Sequence, residues 1–282
     1  MVAGAPAPRA GQKPSTIYEM ACRFVAMRWR FLLTPPLDGA DNMALDEALM
    51  QRARDSGEGV VRVYAWSAPT LSLGRNQRAI GVYTAERARA LGVQVVRRPT
   101  GGRALLHHRE ITYSVAAPAP AHESLARSYR AINLALLAAL RGLGVHTEIA
   151  VRRERLPPPG SAPCFELPAD GELMLGGRKL VGSAQFREHG ALLQHGSILV
   201  HDDQPMVSQL ASVSLGVVAP AATLAQALGR DPSPEEFATL LFDVVRRDWD
   251  AGASEVNMDG ALRDAMARAR PRFTDDRWTW RR

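Results

Sequence analysis

The sequence predicts an α+β fold with a mixed, largely antiparallel sheet flanked by helices. Short β-prone runs are separated by turn signals such as Gly176-Gly177, which favour two-residue hairpins. Segments with apolar residues three and four positions apart, the longest at 124–143, predict helices between these hairpins. The 282 residues, 46% of them hydrophobic, are sufficient for the core of one large domain or two small ones. This arrangement argues against a doubly wound parallel sheet.

The N-terminal residues 1–27 are expected to lie outside the folded domain. They are rich in Ala, Pro, Gly and basic residues, and they contain no acid before Glu19. The continuous apolar run of a secretory signal is missing. We interpret this stretch as a disordered tail, or as an over-called start with Met27 as the real first residue. No window has the roughly 18 apolar residues that a membrane span needs, so a soluble protein without membrane contact is expected.

The first half of the domain begins with a helix capped by Asp41 or Asn42, because Met43, Leu45 and Leu49 roughly follow helical spacing. The elements predicted next are strands at 60–66 and 69–77, a helix at 84–91, a buried strand at 93–96, and a hairpin of 104–107 with 111–115 around residues 108–110.

The second half begins with the long helix 124–143, which ends at Gly144 because glycine suits a left-handed C-cap. Residues 152–163 contain four prolines and are predicted to form a loop. Two hairpins follow, 172–175 with 178–184 and 185–188 with 191–199, and the chain is largely helical from about residue 223, with Ser233 as an N-cap and Pro234 at the first helical position.

Charge and cysteine content narrow the function. The formal net charge of +6 favours encounter with acidic partners, whereas the spread of arginine without interleaved aromatics argues against nucleic-acid binding. Cys22 and Cys164 are the only cysteines, and neither has the spacing of a metal site or a disulfide framework. This usage suits a reducing compartment, and a cytoplasmic location is expected.

Three segments carry candidate chemistry. Residues 97–103, RRPTGGR, combine positive charge with glycines whose amides can approach a carbonyl or phosphate, although an ordinary turn with solvated arginines fits as well. Cys164 ends a proline-rich loop, where a thiol is either a nucleophile or a small buried hydrophobe. Lys179 shares a strand face with Val181 and is either partly desolvated or exposed. If the fold brings Lys179 close to Cys164, its ammonium will favour the reactive thiolate.

Several ordered blocks resemble the lipoate-protein ligase, biotin-protein ligase and octanoyltransferase superfamily. The blocks are RRPTGGRALLH at 97–107, GGRKLVGSAQ at 176–185 and LQHGSILV at 193–200, supported by NMALDEAL at 42–49, WSAPTLSLGRNQ at 66–77 and FTDDRWTWR at 273–281. The resemblance covers residues 28–282 and implies a single catalytic domain. The stretch from Pro163 to Gln185 is most similar to the cysteine-dependent octanoyltransferases.

That resemblance implies octanoyl transfer from octanoyl-acyl carrier protein, through a thioester on Cys164, to a lysine of a lipoyl domain. The acceptor would be a protein such as glycine cleavage H protein or the E2 subunit of a 2-oxoacid dehydrogenase. Lys179 would be the second catalytic residue, and no cofactor or metal is implied. The resemblance suggests a set of residues that hold the acyl group and its carbonyl: Arg98, Gly101, Gly102, His107, Gly182, Ser183, Ala184, His195 and Gly196.

The sequence is compatible with more than one function. ATP-dependent lipoate ligation, acyl transfer between two lipoyl domains, and a non-enzymatic acyl-binding module all fit parts of the pattern. Arg103 stands where many ligases have a third glycine, which argues against nucleotide binding. His107 and His195 suit acid/base chemistry, although ring packing or hydrogen bonding to the loop is the simpler role. Chain-length selectivity, the natural acceptor and the oligomeric state do not follow from the sequence.

Overall fold

Two sheets organise the computed structural model, which describes residues 27–122, 124–150, 171–216 and 219–282. The predictions for residues 1–26 and for the loop with Cys164 lie outside the described residues. Within those residues the larger sheet has the order β11-β1-β2-β6-β10-β9-β8-β7 and the smaller one has the order β4-β3-β5. The strands are β1 (Trp29–Leu33), β2 (Gly59–Tyr64), β3 (Thr70–Leu73), β4 (Gln94–Arg97), β5 (Leu105–His107), β6 (Glu110–Pro118), β7 (Glu148–Ile149), β8 (Leu173–Leu175), β9 (Arg178–Glu188), β10 (Ala191–Leu199) and β11 (Ser254–Glu255).

The larger sheet is mixed and largely antiparallel, as the sequence predicts. Strand β1 runs parallel to β2 and β11, and the other neighbours in this sheet are antiparallel. The helices in the described segments are α1 (Gly39–Ser56), α2 (Ala85–Ala90), α3 (Leu125–Gly142), α4 (Met206–Leu210), α5 (Leu224–Leu228), α6 (Pro234–Asp248), α7 (Gly260–Thr274) and α8 (Asp276–Thr279). None of these helices is long and apolar enough to cross a membrane.

Helices cover both faces of the larger sheet because its strands alternate their side chains. In β2, Val61 and Val63 belong to the core cluster that includes residues of α3 and α6. Val60, on the opposite face, packs with residues of α1 and α7. Side chains from the two faces of a strand therefore enter two separate cores.

Local signals place most of the helix ends. Asp38 caps α1, and its carboxylate accepts a hydrogen bond from the Asp41 amide at 2.7 Å. The predicted cap at Asp41 or Asn42 is therefore wrong, because an N-cap acts on an amide two or three residues later. The predicted cap at Ser233 is confirmed, since its side chain accepts from the Glu236 amide.

The predicted hairpin around residues 108–110 is also wrong. Both strands form, but β5 pairs with β3 in the smaller sheet, whereas β6 pairs with β2 and β10 in the larger one. The turn thus carries the chain from one sheet to the other. By contrast, β9 pairs with both β8 and β10, and Gly176 and Gly177 have φ values of 55° and 72° at the first of these predicted hairpins.

Candidate active site

A narrow cavity lies where the two sheets meet. Its volume is about 40 Å³. The lining residues are Met43, Tyr64, Trp66, Arg98, Gly102, Leu105, His107, Thr112, Gly182, Ser183, Ala184, His195 and Gly196. The structure therefore brings together residues from the blocks at 42–49, 66–77, 97–107, 176–185 and 193–200, whereas the block at 273–281 contributes no lining residue. Gly101 and Lys179 are the predicted site residues within the described segments that do not line the cavity.

Strand register explains why the two C-terminal blocks meet. In the β9–β10 ladder Ser183 pairs with Gly196 and Ala184 pairs with His195. A Cβ atom on Gly196 would lie 2.7 Å from the carbonyl oxygen of Gly182 and from a ring carbon of Tyr113. Only glycine fits between these groups without displacing backbone.

The glycine-rich loop at residues 98–103 is held by its own arginine. The guanidinium of Arg98 donates to the carbonyl oxygens of Gly101 at 2.7 Å, Arg103 at 2.7 Å and Ser72 at 2.9 Å. Arg98 also donates to the Ser72 hydroxyl at 2.9 Å. These contacts use a planar fork of donors to shape the loop. Arg98 therefore supports the cavity wall through the backbone of the loop.

Thr100 joins this loop to the larger sheet. Its hydroxyl lies 2.6 Å from Nε2 of His195, and the Thr100 carbonyl accepts a hydrogen bond from the Arg75 amide at 2.8 Å. On the other side of the ring, Nδ1 of His195 lies 2.9 Å from Oδ2 of Asp46 in α1. A chain of buried polar groups thus runs from α1 through β10 to the glycine-rich loop.

The charge states of Asp46 and His195 follow from the groups around them. Burial tends to raise the pKa of the Asp46 carboxyl, but hydrogen bonding to His195 and the charge of Arg62, 3.0 Å away, lower it overall. Burial lowers the pKa of His195 despite the hydrogen bond that the ring donates to Asp46. His195 is consequently neutral, with its Nδ1–H donating to Asp46 and its Nε2 accepting from Thr100.

His107 is held by a second carboxylate and by an aromatic ring. Its Nδ1 lies 2.7 Å from Glu110, and its Nε2 lies 2.8 Å from the Ser72 hydroxyl. The imidazole stacks on Trp66 with 4.0 Å between ring centroids. The Trp66 indole in turn donates to Thr112 at 2.8 Å. This geometry matches ring packing and hydrogen bonding, the simpler of the two roles considered for His107.

Lys179 is buried and paired. The Lys179 ammonium donates to a carboxylate oxygen of Glu172 at 2.7 Å, and each side chain is less than 5% exposed. An exposed strand lysine is therefore excluded. Glu172 also lies at the base of the loop with Cys164: the Ala150 amide donates to the Glu172 carbonyl, and the Gly171 amide donates to the Ala150 carbonyl, both at 2.8 Å.

The sequence separation between Cys164 and Glu172 sets an upper limit on the distance between these two residues. Eight residues separate Cys164 from Glu172 (172 − 164), and an extended chain of that length spans up to about 28 Å. The Asn133 side chain donates to the Gly171 carbonyl at 2.6 Å and fastens the base to α3. Cys164 itself lies outside the described residues, so its distance to Lys179 stays a prediction.

Sequence reasoning missed Asp46, Thr100 and Glu172 as parts of the site. A signal for Asp46 is its position among the apolar residues of α1, because an acid on a buried helix face needs a partner. Thr100 and Glu172 carry no comparable local signal.

Residues 38–246 match the family described as "Lipoyl protein ligase A/B catalytic domain". Octanoyltransferase LipM of Carboxydothermus hydrogenoformans is 46% identical over 180 residues, which are 62% of this chain and 66% of that protein. The protein of the same name from Symbiobacterium thermophilum is 39% identical over 224 residues, 73% of this chain and 80% of that protein.

Solved structures show the same fold. A lipoate-protein ligase A bound with ATP has a TM-score of 0.72 at 20% identity, and the match covers 90% of this chain and 99% of that one. Protein Ta0514, a lipoate protein ligase homologue from T. acidophilum with bound lipoic acid, also has a TM-score of 0.72, at 21% identity over 90% of this chain and 100% of that one. The chain belongs to the lipoyl protein ligase A/B catalytic domain family.

Proposed function

We propose that this protein is an octanoyltransferase that moves an octanoyl group from octanoyl-acyl carrier protein to a lysine of a lipoyl domain. The observation that carries the proposal is the 38–46% identity to several proteins named octanoyltransferase LipM. The cavity supports it, because apolar groups from Met43, Tyr64 and Leu105 meet backbone amides of glycine-containing segments. Such a wall suits an acyl chain that ends in a carbonyl.

Cys164 is the proposed carrier of the acyl group. Its thiolate attacks the carbonyl carbon of the donor thioester, the new C–S bond forms, and the carrier thiol leaves. The acceptor amine then attacks the Cys164 thioester, an amide forms, and the cysteine thiol is regenerated. Both steps conserve the oxidation state, and the first exchanges one thioester for another. No nucleotide is needed because the group arrives already activated.

Lys179 is proposed to favour the thiolate through its positive charge. Its burial strengthens any charge interaction, because the effective dielectric constant is lower there than in water. The carboxylate of Glu172 offsets the free-energy cost of removing the Lys179 ammonium from water. The amides of Gly101, Gly102 and residues 182–184 of β9 are proposed to donate hydrogen bonds to the carbonyl oxygen in the tetrahedral intermediates.

Binding of the acyl chain requires the cavity to widen. Its volume of about 40 Å³ is far below the roughly 300–1,000 Å³ that is typical of small-molecule pockets. Met43 is the lining side chain best suited to move, because its unbranched thioether changes rotamer easily. The natural acceptor is proposed to be a lipoyl-domain protein such as glycine cleavage H protein or a 2-oxoacid dehydrogenase E2 subunit, with the reaction in the cytoplasm.

The decisive experiment supplies octanoyl-acyl carrier protein without ATP and follows the mass of the enzyme. We expect one octanoyl adduct that hydroxylamine releases and that apo lipoyl domain accepts. Cys164→Ala should abolish the adduct, whereas the matched control Cys22→Ala should retain it. Modification from free octanoate with ATP and magnesium, and none from the carrier thioester, would instead establish a ligase.

A further inference from the structure

Four arginines gather on the surface beside the glycine-rich loop. This arginine patch consists of Arg75, Arg78, Arg281 and Arg282, and the 57% exposed side chain of Ile80 lies among them. Arg281 donates to the Arg75 carbonyl at 2.6 Å. The Arg282 carbonyl accepts from the Ile80 amide at 2.8 Å, and Arg78 donates to the Ile80 carbonyl at 3.2 Å. Residues distant in sequence thus form one positively charged surface.

One of the four arginines in the patch forms an ion pair with a carboxylate side chain. In the described part of the chain Arg75 forms an ion pair with Glu188 at 3.0 Å, but Arg78, Arg281 and Arg282 form none. Burial and then the positive charges of Arg282, Arg75 and Arg272 lower the pKa of the Arg281 guanidinium. Keeping like charges together costs free energy in the unbound protein. Binding of negative charge would recover that cost.

The patch contacts two segments that also contribute residues to the cavity wall. The Arg75 amide donates to the carbonyl of Thr100, in the loop whose residues Arg98 and Gly102 line the cavity. The Arg75 guanidinium lies 4.9 Å from the ring centroid of Phe186 in β9, two residues after the cavity-lining Ala184. Arg75 therefore connects the patch to two walls of the site.

We propose that the arginine patch docks the acidic surface of the protein that delivers the acyl group. An exposed apolar residue surrounded by arginines has the composition of a protein interface. The carrier brings acidic side chains and, on its thiol-bearing arm, a phosphate. The positive charge of the patch complements this donor, an inference that rests on the proposed octanoyl transfer.

Charge reversal tests this proposal with two octanoyl donors, one with the carrier protein and its phosphate and one without either. Arg78→Glu and Arg281→Glu should each lower kcat/KM for octanoyl-acyl carrier protein by about fivefold or more at low salt. The same variants should leave kcat/KM for octanoyl-pantetheine, which lacks both phosphate and protein, within about twofold of the parent. The loss should shrink near 0.5 M salt, where charges are screened within about 4 Å.

Arg141→Glu is the matched control, because Arg141 is an exposed arginine in the last turn of α3 and shows no ion pair in the described structure. It should leave both donors unaffected. The Arg281 guanidinium lies 3.9 Å from the ring centroid of Trp278, so Arg281→Glu also removes this contact. Arg78→Glu leaves the contact in place and therefore tests the charge of the patch separately.

Three results would overturn the docking proposal. The first is an equal loss of kcat/KM with both donors, and the second is no loss of kcat/KM with octanoyl-acyl carrier protein. The third is an effect confined to the KM for the lipoyl domain. If the parental protein transfers octanoyl from neither donor, the proposed function fails and the docking proposal fails with it. The two failures are thus distinguishable.

Discussion

Thr100→Val isolates the hydrogen bond that joins the glycine-rich loop to the larger sheet. Valine has nearly the shape of threonine but lacks the hydroxyl that lies 2.6 Å from Nε2 of His195. Thr100 is fully buried and His195 is 6% exposed, so water cannot readily replace the lost donor. The substitution leaves an acceptor nitrogen without its partner inside the protein.

The expected cost follows from that unpaired acceptor. Leaving a buried polar atom unsatisfied costs about 1–3 kcal/mol in the free energy of unfolding. For a chain of this size, 2 kcal/mol corresponds to a fall in Tm on the order of 5 °C. Because the loop also forms a wall of the cavity, we expect kcat/KM for octanoyl transfer to fall by roughly tenfold or more.

Thr100→Ser is the matched variant, since it retains the hydroxyl and removes a single methyl group. Denaturant unfolding gives the free energy of each variant, and steady-state transfer from octanoyl-acyl carrier protein gives the kinetic parameters. Serine should cost about 1 kcal/mol and keep most of the activity. A valine variant as stable and active as the serine variant would refute the role assigned to this hydrogen bond.

Three further predictions concern the same site. The folded protein lowers the pKa of His195, so protonation of this side chain favours the unfolded state once the pH falls below the unfolded-state pKa of about 6.5. Between pH 7.5 and 5.5 the Tm of His195→Gln should therefore drop less than the Tm of the parent. An equal drop in Tm for both proteins would contradict this prediction. Lys179→Gln should raise the pH at which Cys164 reacts with iodoacetamide, and an unshifted alkylation profile would count against their pairing. Gly196→Ala should destabilise the fold by about 1–3 kcal/mol through its 2.7 Å contacts, whereas Gly260→Ala, with no atom within 4 Å, should be nearly neutral by denaturant unfolding.

The hairpin prediction around residues 108–110 failed for a physical reason. Propensity and alternation identified both strands, but they carry no information on which neighbour each strand pairs with. The β5 backbone pairs with β3 and the β6 backbone pairs with β2 and β10. His107, at the end of β5, thereby comes to rest against Trp66 and Glu110 at the junction of the sheets.

The sequence by itself determined the α+β class, most helix and strand positions, and the glycine-containing turns. Those features depend on local periodicity and backbone preferences, as the positive φ values of Gly176 and Gly177 illustrate. Ordered blocks also identified the superfamily. The sequence alone did not reveal which polar residues support one another across the cavity.

The tertiary structure determines which of these polar residues are in contact. Asp46 and His195 are 149 residues apart, and Thr100 lies 95 residues before His195, yet all three form one chain of contacts. Likewise, Lys179 became a buried charge only when the β8–β9 hairpin placed Glu172 beside it. Such pairs depend on how strands and helices pack, because hydrogen bonds and buried charges act over a few ångströms and not along the chain.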